Sequence, residues 1–169
     1  MMGDHGLFLK GFMHYRGTLQ VPMVISAPSL APSRTQGLAS SLDLAPTLLD
    51  LCGLAEFDGI QGHSLKPMLE DPRARVRDHV LIEDDIATIT AKLTPIPGKT
   101  RTVITEQYRY TRNSQGEEQL FDLVEDPDEM LDLTAESHPG RPQMIEVLAD
   151  ALIAADDAAK GAPTQDIHI

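Results

Sequence analysis

Two short runs near the start of this 169-residue chain have residue types that could do chemistry: a glycine-flanked Asp4-His5 pair, and Lys10 followed directly by Gly11. Lys10-Gly11 sets an ammonium beside backbone that has no side chain, the arrangement by which a loop closes on a small anion. On chemistry alone a solvated surface lysine is the commoner reading of the same residues. Asp4 and His5 are both metal-ligating types, but a hard divalent cation takes about six or more ligands, and two residues do not make a cage. Further on, Asp122, Glu125 and Asp126 could be taken for a general acid and base. Asp-Pro-x-Glu is also good turn and capping chemistry, and that structural role is the reading adopted. Cys52 is the only cysteine, so no intramolecular disulfide forms. Within its apolar run it is expected to be a small buried hydrophobe. His63, alone in a turn, is expected at the surface.

The elements that would position these groups follow from pattern. Met1 to Gln20 reads as a loop. Val21 to Ala27 is apolar on both faces, as in a buried strand of a helix-covered, parallel-type sheet, with Pro22 near its start. Pro28 to Gln36 is loop-like. Leu42 to Leu54 predicts a helix with Asp43 as N-cap, Pro46 in the first turn and Gly53 as the stop. Its face of Leu44, Leu48, Leu51 and Cys52 is expected in the core. Pro72 to Asp78 is a charged boundary and Val80 to Glu83 a strand. Ala87 to Gly98 is ambiguous, broken by Pro95 and Pro97. Val103 to Thr111 alternates like a half-buried strand, Asn113 to Gly116 has turn composition, and Glu118 to Leu123 returns as its partner. Pro142 to Lys160 predicts an amphipathic helix with a stripe of Met144, Leu148, Ala151, Leu152 and Ala155, ended by Gly161. Ala162 to Ile169 is expected to fray.

Composition bounds the function. The chain is 41% hydrophobic and 24% charged with 12 Gly and 12 Pro, which suits a folded, loop-rich domain. A net charge of −12 argues against nucleic acid or an anionic membrane surface as partner. Acids and bases balance over residues 1–50, whereas residues 117–136 hold nine acids and no Lys or Arg, read as a solvated face. Nothing reaches transmembrane length, and the first residues lack the apolar core of a leader. A cytoplasmic location is the expectation for the chain as given, with the compartment of a longer parent left open.

The order of the motifs carries a resemblance. Met1-Met2-Gly3-Asp4-His5-Gly6-Leu7-Phe8-Leu9-Lys10, then Tyr15, then Val21-Pro22-Met23-Val24-Ile25, resembles a tract of the sulfatases and phosphonate monoester hydrolases of the alkaline-phosphatase-like superfamily. Asp43-Leu44-Ala45-Pro46-Thr47-Leu48-Leu49-Asp50-Leu51 is similar to a structural helix of that family. So is Gly59 to Leu69 to its G-x-x-G-x-S-L-x-P-L-L element, and Leu120-Phe121-Asp122-Leu123-Val124-Glu125-Asp126-Pro127-Asp128-Glu129 to its L-Y-D-L-x-x-D-P-x-E. Arg16 departs from the pattern, standing where the family has Glu.

The resemblance implies an α/β fold: the C-terminal part of an alkaline-phosphatase-like α/β sandwich over residues 1–78, and over 79–169 a small antiparallel β-sheet subdomain with a terminal α-helix. It implies hydrolysis of a sulfate ester in the parent protein, the alternative being a phosphate or phosphonate ester. Lys10 matches the family lysine that contacts the substrate's anionic group, and Tyr15 would at most support it. Asp4-His5 aligns with the second, non-ligating Asp-His of the family tract, so no metal is expected here. The divalent cation (Ca, Mn or Mg) and the formylglycine of full-length members would be supplied elsewhere, since no C-x-P-x-R run is present. By this reading the chain alone is an incomplete, inactive C-terminal portion, associating with a missing N-terminal portion or with itself. A stand-alone interaction module is the rival from another class, and a minimal hydrolase with Asp4-His5 as its metal pair is the second enzymatic rival.

Overall fold

The computed structural model describes residues 2–8, 13–28, 30–85, 98–135 and 137–160. The chain divides into two compact units, one formed by Met1–Val24 with Leu81–Ala149 and the other by Ile25–Val80 with Asp150–Ile169.

The first unit is built on a four-stranded sheet in the order β1-β2-β3-β4 (Val80–Asp85, Lys99–Ile104, Tyr108–Asn113, Glu118–Asp122). The pairs β2–β3 and β3–β4 are antiparallel, with Val103 opposite Tyr110 and Tyr110 opposite Leu120. Side chains alternate across a strand, so these three share one face, and all are fully buried. The start of the terminal helix, α4 (Gly140–Lys160), lies on this side. A Cβ on Gly140 would come within 3.0 Å of the Tyr108 ring, and Arg141 pairs with Glu118 at 2.7 Å. The expected stripe of α4 is present, with Met144, Leu148 and Ala151 buried. The opposite face of the sheet carries Thr102, Thr111, Arg109 and Phe121.

One expected strand is two. Val103 to Thr111 is interrupted by a tight turn in which Thr105 N–H donates to Tyr108 O (2.8 Å) and Tyr108 N–H donates to Thr105 Oγ1 (2.9 Å). The alternation of Val103 to Thr111 ran across a reversal because the Thr105 hydroxyl satisfies the turn without glycine. The following turn is as expected: Asn113 Oδ1 accepts from Gln115 and Glu117 N–H, and Gly116 takes φ +85°.

Val21 to Ala27 is not a strand. The segment is irregular, with Val21 and Val24 64% and 93% exposed, because no neighbouring strand among the described residues offers it a ladder. The reading of Met1 to Gln20 as loop needs one refinement, a helical turn α1 (Arg16–Leu19).

In the second unit, α2 (Leu44–Leu51) is followed by α3 (Lys66–Glu70). Asp43 stands at the N-cap of α2 as expected, but its side chain makes no capping bond to that helix; it closes a reciprocal capping box with Ser40 across the 3-10 turn Ser41–Asp43 that leads into α2. Asp43 is fully buried and has further partners: His63 N–H donates to it at 2.8 Å and Arg77 ion-pairs with it. Thr47 Oγ1 accepts from Leu65 N–H at 2.8 Å. These bonds turn the Asp43–Thr47 side of α2 inward, so most of the apolar face expected in the core points outward, with Leu51 half-buried. Leu44 and Leu48 are 40% and 57% exposed, and Cys52 is exposed rather than buried. Gly53, at φ +67°, ends the helix as expected. Among the described residues no helix is long and apolar enough to cross a membrane.

Candidate functional site

Asp4–Gly6 forms a single 3-10 turn closed by Gly6 N–H to Gly3 O and Leu7 N–H to Asp4 O, both 2.9 Å. Gly3 and Gly6 adopt positive φ, and His5 between them does so too, at +52°. For a side-chain-bearing residue that conformation is uncommon and needs support. The support is a ring stack: His5 lies on Tyr15 with centroids 3.9 Å apart and planes 13° from parallel. Tyr15 is fixed in turn. Gln119 Nε2 donates to its hydroxyl at 3.1 Å, the Arg109 guanidinium carbon lies 5.1 Å from its ring centroid, and Phe121 meets it edge-on at 6.0 Å.

Arg109 is the hub of this face. It is buried and ion-paired through Nε to Glu129, also buried, and its guanidinium rests 4.6 Å from the Phe121 centroid. Glu129 Oε2 accepts from Arg16 N–H at 2.7 Å, so one carboxylate ties strand β3 to the chain just after Tyr15. Glu129 has φ +56°, the only other non-glycine positive φ noted in the described backbone.

A polar chain runs on from Arg109 beneath the segment. Arg109 Nη1 donates to Thr111 Oγ1 (2.8 Å), the Thr111 and Thr102 hydroxyls are 2.7 Å apart, and Thr102 Oγ1 is 2.7 Å from His14 Nδ1. His14 Nε2 stands 3.8 Å from Asp84. A guanidinium can only donate, so Thr111 Oγ1 accepts from Arg109. Burial pushes His14 below its ordinary pKa, with Asp84 opposing.

Above these groups lies an open depression of about 480 Å³, whose lining includes Asp4, His5, Arg16, Gln20, Asp128 and Glu129. Its charges are mixed, and two are already engaged: Glu129 holds Arg109 and Arg16 N–H, while Arg16 bonds Gln20. Asp4 Oδ2 accepts from Met2 N–H at 3.2 Å. Asp4 and His5 do not fit a divalent-cation cage, which needs more oxygen donors than this pair offers. Among the described residues no cluster of three or more His, Cys, Asp or Glu is placed to hold a metal.

Lys10, the candidate anion contact, lies outside the described residues. Tyr15 is brought together with His5, and neither Asp122 nor its neighbours join them. Asp122 Oδ1 accepts from Val124 and Glu125 N–H, and Asp126 Oδ2 accepts from Leu131 N–H, which is the turn role read from sequence. His63 is exposed in its turn. Arg109, Glu129 and His14 were missed. The available signal was parity: once Tyr110 is placed on the core face, Arg109 and Thr111 must share the other.

Residues 3–155 match the family described as N-sulphoglucosamine sulphohydrolase, C-terminal. The chain belongs to this family. It is 32% identical over 139 residues to an arylsulfatase of Clostridium perfringens, covering 79% of this chain and 27% of that protein. It is 33% identical over 137 residues to a choline-sulfatase of Rhizobium meliloti, covering 79% and 25%. The phosphonate monoester hydrolase of Silicibacter pomeroyi has the same fold over 79% of this chain and 28% of its own, with a TM-score of 0.62 at 20% identity. The chain thus spans about a quarter of the length of the curated sulfatases it matches. The family assignment agrees with the mixed α/β fold and its C-terminal antiparallel sheet and helix.

Proposed function

We propose that this chain serves a sulfuric-ester hydrolase as its C-terminal portion, and that it holds the ester's anionic head without performing bond cleavage itself. The observation that carries the reading is the match over residues 3–155 to a sulfatase C-terminal family, at a quarter of the relatives' length. In full-length sulfatases the formylglycine and divalent cation supply the nucleophile and its activation. Nothing described here fits them: Cys52 is exposed just past α2, outside any C-x-P-x-R run, and Asp4-His5 is two ligands at most. The chain's contribution is therefore binding and orientation. Lys10 supplies an ammonium for the developing negative charge on the ester oxygens. It lies in sequence between His5 and Tyr15, whose ring stack pins both ends of that stretch. Tyr15 supports this contact through its ring.

The same reading accounts for the uncovered apolar surface. Leu42, Leu44, Leu48, Leu54 and Phe57 are 40–64% exposed, as are Val21 and Val24 of the expected strand at 64% and 93%, and we assign these surfaces to contact with the remainder of a longer hydrolase.

Sulfate is preferred to phosphonate because the arylsulfatase and choline-sulfatase named above are 32% and 33% identical, whereas the phosphonate hydrolase is alike in fold at 20% identity. The test is discrimination by this chain joined to the remaining three quarters of a sulfatase relative. A kcat/KM higher for an aryl sulfate than for a phenylphosphonate ester is expected; the reverse order would assign the chain to phosphonate hydrolysis.

A further inference from the structure

The Arg109–Glu129 pair is a large buried investment for one face of a four-stranded sheet, and neither residue belongs to the expected anion contact. Both reach the same target. The guanidinium of Arg109 lies 5.1 Å from the centre of the Tyr15 ring, the ring on which His5 stacks at 3.9 Å. Glu129 accepts from the backbone N–H of Arg16, one residue on. The left-handed conformations of His5 and Glu129 sit at the two ends of this connection, and such conformations persist where surrounding contacts over-determine them.

We propose that Arg109, braced by Glu129, is a positioning residue: it holds the Tyr15 ring from the sheet and thereby sets the His5 turn and the ends of the stretch that contains Lys10. This rests on the reading of Lys10 as the anion contact, but its physical core is the coupling of Arg109 to the His5–Tyr15 stack. A cation over an aromatic face fixes the ring's angle as well as its distance, which a merely apolar filler does not. Gln119, bonded to the Tyr15 hydroxyl, fixes the other end of that ring.

The experiment is a ring-resonance measurement by NMR on the 169-residue chain, with His5 assigned by His5→Gln. In the native chain the His5 ring protons are expected upfield, in the shielding cone of Tyr15. In the double variant Arg109→Met/Glu129→Gln, which keeps side-chain volume, leaves no buried unpaired charge and retains an acceptor for Arg16 N–H, that displacement is expected to vanish while the amide dispersion of β2–β4 persists. An unchanged His5 displacement in the folded double variant would overturn the proposal. Should the double variant not fold, Tyr15→Leu, which leaves the buried pair in place, is decisive: it must shift the Arg109 Nε–H resonance, and an unmoved resonance overturns the proposal equally. The same double variant in the joined hydrolase separates the two claims. A KM for aryl sulfate raised about tenfold, with kcat less affected, supports both. Loss of the stack with KM unchanged leaves Arg109 as the positioning residue for His5 and Tyr15 and removes Lys10 as the anion contact.

Discussion

Thr102 Oγ1 stands 2.7 Å from His14 Nδ1, at the end of a buried run of hydroxyls that leads back to the Arg109 guanidinium. Burial disfavours a proton on the His14 ring, Asp84 opposes this, and the nearby Arg109 charge adds to the effect of burial.

Stability should consequently depend on pH through His14. Its folded pKa lies below the unfolded value of about 6.5, so the unfolded chain binds the extra proton more readily. The contribution is fully present above the unfolded value and is lost as pH falls through the window below it. Urea midpoints should decrease from pH 7 towards pH 5 in the native chain, and decrease less in His14→Gln. Equal slopes would show that His14 is not the group responsible.

Removing one partner of the buried pair should cost far more than removing both. Glu129→Ala strands the Arg109 charge and is expected to lower stability by about 3–5 kcal/mol, whereas Arg109→Met/Glu129→Leu should lose markedly less. Denaturant titration of the three proteins checks the order.

In the second unit, Asp43 is the corresponding anchor, accepting from Ser40 and His63 N–H and pairing with Arg77. Asp43→Ala should destabilise by roughly 3–5 kcal/mol, leaving Arg77 and two backbone donors without their acceptor. The half-exposed Asp50–Lys66 pair is the control: Lys66→Ala should change the midpoint far less than Asp43→Ala.

Gly62 is required by space. A Cβ there would stand 2.1 Å from the carbonyl oxygen of Leu42, a backbone atom that cannot rotate away. Gly62→Ala should cost about 1–3 kcal/mol, read as a lower thermal midpoint.

Much of this was legible in the sequence where local pattern and burial agree. The α4 stripe, the Asn113–Gly116 turn and the Asp122–Asp126 turn chemistry follow directly from spacing and residue type. The failures share a cause. Leu44, Leu48 and Cys52 read as core because apolar spacing marks a face to be covered without saying by what, and polar bonds at Asp43 and Thr47 decided the inward side. Val21 to Ala27 has strand composition, but a strand needs a neighbour's hydrogen bonds, which lie outside its own sequence. At the candidate site, Tyr15 was read from motif order alone. Arg109 and Glu129 stayed hidden because a buried ion pair 20 residues apart has no local signature; only the strand register brings it together with the N-terminal segment.

Metal-dependent sulfate release from an aryl sulfate, measured for the chain alone and for the chain joined to the rest of a sulfatase, tests the central claim most directly. The account predicts no release by the chain alone, release by the joined protein, and a loss of about 10²–10³-fold in kcat/KM on Lys10→Ala. Turnover by the isolated chain, or full activity in the joined Lys10→Ala protein, would contradict it.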